Sequence, residues 1–385
     1  MKRTAAASGP AADPASAIRS IWVDEKVLDY PLTRRVLRNA GPIPVEMLSS
    51  GAAQARMAGL SPQEGKRTLF LTRHAGAGVK SCPGTSDPYL CCGYRVINQM
   101  GQCPMDCTYC IMQGYLDSPC ILLNVNLEDM FGEIRRQAAE NPDRILRFGT
   151  GETGDSLALD SLTEASADWI EFFSGLPNTI IELKTKSVRI ENLPGLKSKN
   201  TVLAWSLNPG EIASHEERRA PAVPQRIEAA GRCMEAGYKL AFHFDPILSF
   251  PGWQDRYLDL VDGLFHKIDA GRIAWISLGT LRFPPHLQGI IRRRFPKSRI
   301  LDEEMIRGLD GKMRYPRPMR TAMYRLVADR IRLHSRDVFL YFCMEHPAVW
   351  ESVLGSAPAS NDELDSWFTR SLSERFGSFD AGGHP

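Results

Sequence analysis

The chain is predicted to be an α/β protein built on a partial (β/α)6 TIM-like barrel with a basic C-terminal extension. Three observations lead there. Between residues 94 and 278, six short β-branched or aromatic runs alternate with stretches of helical period, the pattern of parallel strands joined by crossover helices. The Gly, hydroxyl and charged residues that could carry chemistry fall at the C-terminal ends of those strands, where barrel enzymes build their sites. Beyond them, residues 282–336 hold fifteen Lys/Arg against five Asp/Glu, a local charge of +10 hidden in a net charge of +2.

Taken in order, residues 67–73 read as a strand that precedes the barrel. The barrel strands are expected at 94–99, 145–148, Thr179–Thr185, 201–207, 238–244 and 273–278, each four to eight residues long. Helices are expected at Leu127–Ala139, with Asn126 as N-cap, and at 161–173, 223–236 and 254–268. A late strand is expected at 338–343. A terminal helix is expected at 362–376, where Leu364, Trp367, Phe368 and Leu372 share a face. The division that follows is a tail at 1–17, an N-terminal α/β segment at 18–93, a barrel at 94–281, a basic region at 282–354, and a linker, helix and tail at 355–385.

With 385 residues the chain can bury a large core, and its composition is ordinary for a globular protein. No apolar run is long enough to span a bilayer, and residues 1–17 lack the apolar region of a secretory signal. A cytoplasmic protein without a membrane partner is expected. Nine cysteines in that setting point to reduced thiols or metal ligands.

Cys103-Pro-Met-Asp-Cys107-Thr-Tyr-Cys110 places three thiols in eight residues. Three ligands fall one short of the four that close an ordinary iron–sulfur cluster. An open coordination position marks a reactive centre. Zinc with a distant fourth ligand, or simply buried thiols, are the plainer readings. With Tyr109 before the last Cys, the loop resembles the motif of the radical S-adenosylmethionine (SAM) superfamily. That resemblance implies a radical SAM barrel, a site-differentiated [4Fe–4S] cluster on Cys103, Cys107 and Cys110, SAM at the open position, and an electron donor such as flavodoxin or ferredoxin.

The strand ends add to this. Phe148-Gly-Thr-Gly-Glu152 ends the second barrel strand. Its glycines admit close backbone approach, and Gly151 and Glu152 match the segment that meets the SAM amine in the superfamily. A plain helix-capping turn is the bland reading. Lys186 and Ser206, on the next two strand ends, could hold a carboxylate. His243 and Asp245, in Phe242-His-Phe-Asp-Pro246, are expected at the barrel mouth as acid–base candidates. A structural hydrogen bond is the alternative.

Several further segments are similar to the spore photoproduct lyase family: Asp29-Tyr-Pro-Leu32, Gly101 through Tyr115, Val125-Asn126, Gly237-Tyr-Lys-Leu240, Gly252-Trp253 and Gly311-Lys-Met-Arg-Tyr315. The resemblance spans residues 22–342. It implies a radical enzyme that repairs a thymine lesion in DNA, with Lys186 and Ser206 binding SAM, Tyr109 in a hydrogen-atom relay, and Arg314 and Tyr315 near the lesion. Arg320 and its neighbours are expected to meet phosphates.

Two positions depart from that family. Glu152 stands where the lyases carry a hydrogen-donating Cys, and Ile111 where they carry a Tyr. Cys82, Cys91 and Cys92 lie just upstream of the cluster loop and offer an auxiliary metal site, a replacement donor, or buried thiols. The sequence therefore leaves three functions in play: a lyase-like enzyme acting on nucleic acid, a radical SAM enzyme acting on a small molecule, peptide or lipid precursor, and a metal-stabilised nucleic-acid-binding module. Cys120, Cys233 and Cys343 are expected in the core.

Overall fold

The computed structural model describes residues 13–84, 86–196 and 199–377. Seven parallel strands curl into an open barrel in chain order: Arg95–Ile97, Leu146–Gly149, Thr179–Thr185, Thr201–Ser206, Lys239–Ile247, Ile273–Thr280 and Leu340–Phe342. Val79–Ser81 adds an antiparallel strand outside the first. The six strands expected from the sequence are all present. The seventh comes from the basic region, where 338–343 pairs with Ile276–Leu278. These strands are buried along nearly their whole length because helices cover the outside and side chains fill the inside.

A second sheet packs alongside. Its order is Val45–Leu48, Ser20–Asp24, Thr68–Thr72, Ile121–Asn124 and Met100–Gly101. Its last two strands come from beyond residue 94, so the chain leaves the barrel after its first strand, visits this sheet and returns. The cysteine loop lies on that excursion, between Met100–Gly101 and Ile121–Asn124. The expected boundary at residue 94 is thus crossed by chain from both sides.

The crossover helices follow their apolar spacing. Trp253–Lys267 buries Tyr257, Leu260, Val261 and Leu264, one face of a 3.6-residue period. Leu127–Ala139 forms as expected, but Asn126 makes no cap hydrogen bond. Its side chain instead accepts from His74 N–H at 3.0 Å and donates to Asp129 at 2.8 Å. The helix expected at 161–173 is broken at Glu164, which adopts a left-handed φ of 49° between Asp160–Thr163 and Ala165–Ser174. Asp160 causes the break. Its carboxylate accepts the Ser166 N–H and hydroxyl, a side-chain competition that ends one helix and starts the next. Arg35 then donates to the freed Thr163 carbonyl at 3.1 Å.

Most of the expected tail at 1–17 lies outside the described residues, but its final part is folded. Pro14–Ala17 is a 3-10 turn capped by Asp13, and Ala15 is buried. The terminal helix is Asn361–Phe376. Its Phe368 packs edge-on against Trp275 and Tyr341 of the last strands, and Arg147 of the second strand lies over the same ring at 3.4 Å. The helix therefore bridges the seam of the open barrel. No described helix is long and apolar enough to cross a membrane.

Candidate functional site

Strand ends, the cysteine loop and the basic region meet at one cavity of about 340 Å³. Tyr109, Cys110 and Ile111 line one side. Gly151, Glu152, Lys186, Ser206 and Asp245 come from four successive strand ends. Six of the predicted site residues, Tyr109, Gly151, Glu152, Lys186, Ser206 and Asp245, thus converge with Cys110.

The approach of the backbone explains the glycines. A Cβ on Gly151 would sit 2.6 Å from the Lys184 carbonyl, and one on Gly149 would meet the Tyr94 hydroxyl at 1.6 Å. Asp155 then pins the neighbouring strand end, accepting from the Thr185 hydroxyl at 2.6 Å and the Lys186 N–H at 2.7 Å. Lys186 Nζ lies 5.7 Å from the Tyr109 ring centre, and the Ser206 carbonyl is fixed by Arg226 at 3.0 Å.

Three residues unmarked by the sequence reading shape the electrostatics. Lys184 donates to the Glu152 carboxylate. Burial works against its charge, but Glu152 and Glu182 outweigh it and raise its pKa. Arg282 grips Asp245 with two bonds of 3.1 Å. Burial opposes the Asp245 charge, yet Arg282 holds the carboxyl below its ordinary range, so Asp245 is a paired carboxylate and a poor proton acceptor. Glu217, fully buried, accepts from the Tyr109 hydroxyl and from Asn208 at 2.9 Å, and it pairs with Arg226. Burial first, and Glu217 second, push the Tyr109 pKa up and keep the phenol neutral. One signal for Lys184 was available: Glu182, Lys184 and Lys186 alternate along one strand, so all three face inward.

His243 does not reach the mouth. It lies one layer deeper, 6% exposed, with Nε2 2.6 Å from Glu182, which also accepts from Trp275 at 3.2 Å. Burial opposes the Glu182 charge and His243 stabilises it, leaving the carboxyl pKa low. His243 is therefore part of a buried polar network, the structural alternative.

Arg314, Tyr315 and Arg320 are also buried, against the expectation that they face a nucleic acid. Arg314 is 1% exposed and pairs with Asp310, and Arg320 is 4% exposed and grips Glu345 with bonds of 2.9 and 3.0 Å. Tyr315 is fully buried and accepts from Ser249 N–H. Held inside the fold, Arg320 offers nothing to a phosphate, and Arg314 and Tyr315 present no exposed surface to a lesion. They anchor a hairpin, Ile306–Arg307 against Met313–Arg314, whose turn exposes Leu309 and sends Lys312 to the cavity wall.

The cysteines divide four ways. Cys103, Tyr109 and Cys110 pack around Met105, Cys107 and Ala158, so the three loop thiols share one small wall. Among the described residues no three His, Cys, Asp or Glu side chains are already drawn to metal-binding distance. The donor set nonetheless fits an iron–sulfur cluster, because three thiols lie on one wall with Cys110 reaching the cavity; burial raises the pKa of both Cys103 and Cys107. Cys82 lines the cavity. Cys91 and Cys92 are buried, as are Cys120 and Cys233. Cys343 is not simple core, since Arg282 Nη2 lies 3.1 Å from its sulfur.

Comparison with known proteins agrees with this arrangement. Residues 18–323 match the family model described as spore photoproduct lyase. The chain is 29% identical over 206 residues to spore photoproduct lyase of a Geobacillus strain, covering 52% of this chain and 60% of that protein. It is 28% identical over 297 residues to the Bacillus subtilis enzyme, covering 74% and 84%. Among solved structures, a cysteine-to-alanine variant of spore photoproduct lyase matches with a TM-score of 0.76 at 24% identity, over 84% of this chain and 98% of that one. Another, complexed with dinucleoside spore photoproduct, matches with a TM-score of 0.75 at 23% identity. These likenesses support the barrel architecture, and the family match over most of the length carries the assignment: the chain belongs to the spore photoproduct lyase family of radical SAM enzymes.

Proposed function

We propose that this chain binds a [4Fe–4S] cluster through Cys103, Cys107 and Cys110 and SAM in the adjoining cavity, and that it acts on a lesion in DNA. The observation that carries the reading is the convergence of Cys110, Gly151, Glu152, Lys186 and Ser206 on one cavity. When bound by these residues and reduced, the cluster with SAM would supply radical chemistry for hydrogen abstraction.

The chain's own residues divide the work. Lys186 and Ser206 offer an ammonium and a hydroxyl to the SAM carboxylate. The 149–152 turn lets SAM approach the backbone, and the Glu152 carboxylate, already bonded to Lys184, accepts the SAM amine. Tyr109 forms the wall between Cys110 and Lys186. Lys312, which lines the cavity while paired with Asp310 at 3.2 Å, and the exposed Leu309 on the hairpin turn are the side chains nearest to a nucleic acid, in place of the buried Arg314, Tyr315 and Arg320. A relative in this family is known bound to AdoMet and dinucleoside spore photoproduct together, which supports both ligands for the same cavity here.

One feature favours a second reading. The cavity carries the Glu152–Lys184 pair where the lyases carry a thiol donor, so a different substrate could close the cycle by another route. Duplex binding separates the two. Lesion-bearing DNA should bind with steep salt dependence, and Lys312→Ala with Leu309→Ala should weaken it. Binding that is insensitive to salt and to both substitutions would overturn the nucleic-acid assignment. The cluster assignment is overturned if iron content is unchanged when all three loop cysteines are replaced.

A further inference from the structure

The back of the cysteine loop, away from the cavity, is held by cations. Lys66 Nζ donates to the Cys103 and Met105 carbonyls at 3.2 and 2.8 Å. It also lies 3.9 Å from Asp106, where Arg219 at 3.8 Å and Arg294 at 2.9 Å converge. One buried carboxylate thus meets three cations, and the excess is positive.

More positive charge surrounds this knot. Arg67 and Arg218 act on Arg219 as like charges, and Arg219 also senses Cys103. Arg218 and Arg294 both lie against the Phe295 ring, at 5.7 and 4.8 Å. Arg293 shares a second cavity, of about 420 Å³, with Lys66 and Arg294. Arg67, Arg218 and Arg293 are exposed. Besides Asp106, three acids share the face: Glu64, bonded to Ser61, Glu216, buried against the Thr108 and Ser298 hydroxyls, and Asp117, exposed on the wall of the second cavity, so the cations still outnumber the acids. None of these cations lines the main cavity.

We propose that this basic face docks an acidic one-electron carrier protein of the flavodoxin or ferredoxin type, and that the electron enters from the Cys103–Met105 side. The proposal rests on the cluster reading above. Charge complementarity selects an acidic partner. Position selects a carrier over a nucleic acid, because the face adjoins the loop backbone while the cavity opens beside the hairpin turn. The step moves one electron: the carrier's reduced flavin or iron–sulfur centre is oxidised by one, the cluster is reduced by one, and no bond is made or broken.

The test uses the full-length, reconstituted protein with purified flavodoxin and an acidic ferredoxin. Calorimetry at low and high salt gives affinity, and anaerobic stopped-flow absorbance gives the rate of cluster reduction. The variant Arg67→Glu/Arg218→Glu/Arg293→Glu should weaken carrier binding roughly tenfold or more and slow carrier-driven reduction in proportion, with reduction by dithionite unchanged. Arg→Gln at the same sites should give a smaller loss in the same direction. Unchanged affinity and rate, or no salt-sensitive binding by the wild type, would overturn the proposal. So would a variant that keeps the carrier but loses affinity for duplex DNA, which would assign the face to nucleic acid. If no iron is bound, the cluster reading fails, and the affinity arm still decides whether the face docks a carrier.

Discussion

Lys184 Nζ is bonded to the Glu152 carboxylate across two adjacent strand ends, at the floor of the cavity. The Glu152 carboxylate is therefore one half of an ion pair. Removing one member strands the other beside buried Glu182 and Tyr94. Glu152→Gln should destabilise the protein by about 1–2 kcal/mol, below the cost of breaking a fully buried pair because both side chains are partly exposed. Lys184→Met added to it should recover part of that loss. A double-mutant cycle by urea denaturation measures the coupling.

Gly149 and Tyr94 fit together only without a Cβ. Gly149→Ala should cost about 1–3 kcal/mol or more, as overpacking does, because its methyl would overlap the Tyr94 hydroxyl and crowd the Glu182 carbonyl. Combining it with Tyr94→Phe should restore part of the stability, and thermal unfolding of the two variants checks this.

Phe368 closes the barrel seam from outside the strand order. It is 1% exposed and touches Trp275, Phe339 and Tyr341. Phe368→Ala should destabilise by about 3–5 kcal/mol, the range for large aromatics in cores. Hydrogen exchange should report faster opening of Leu340–Phe342 than of the central strands.

Asp310 gives the hairpin an acid limit. Burial opposes its ionisation, but Arg314 and Lys312 overcome this and lower its pKa to about 2. A depressed folded pKa gives stability that is complete above the unfolded value, about 3.9, and is lost as pH falls through about 2. Asp310→Asn should be less stable at neutral pH and show a shallower loss between about pH 4 and about pH 2. Acid titration followed by circular dichroism measures both.

Much of this architecture was legible because its signals are local. Strand runs such as Thr201–Ser206 and the spacing of Cys103, Cys107 and Cys110 need no tertiary knowledge. What the sequence could not convey was pairing. Arg320 read as a phosphate ligand because basic residues cluster there, and Arg314 as a neighbour of the lesion from the family resemblance, yet Glu345 and Asp310 claim them inside the fold. His243 and Asp245 share a strand face, but Glu182 takes one and Arg282 the other. The break at Glu164 came from Asp160 competing for the Ser166 backbone, which helical periodicity cannot register. Glu217, which fixes Tyr109, sits 108 residues away in sequence.

Cys103, Cys107 and Cys110 are proposed to hold a reducible cluster beside a SAM cavity. The direct measurement is anaerobic incubation of the reconstituted, dithionite-reduced protein with SAM, with 5′-deoxyadenosine quantified by chromatography. The wild type should release it, Cys107→Ala should release none, and Lys186→Ala should lose SAM affinity with iron content retained. An iron-loaded wild type that binds SAM and releases no 5′-deoxyadenosine would contradict this proposal.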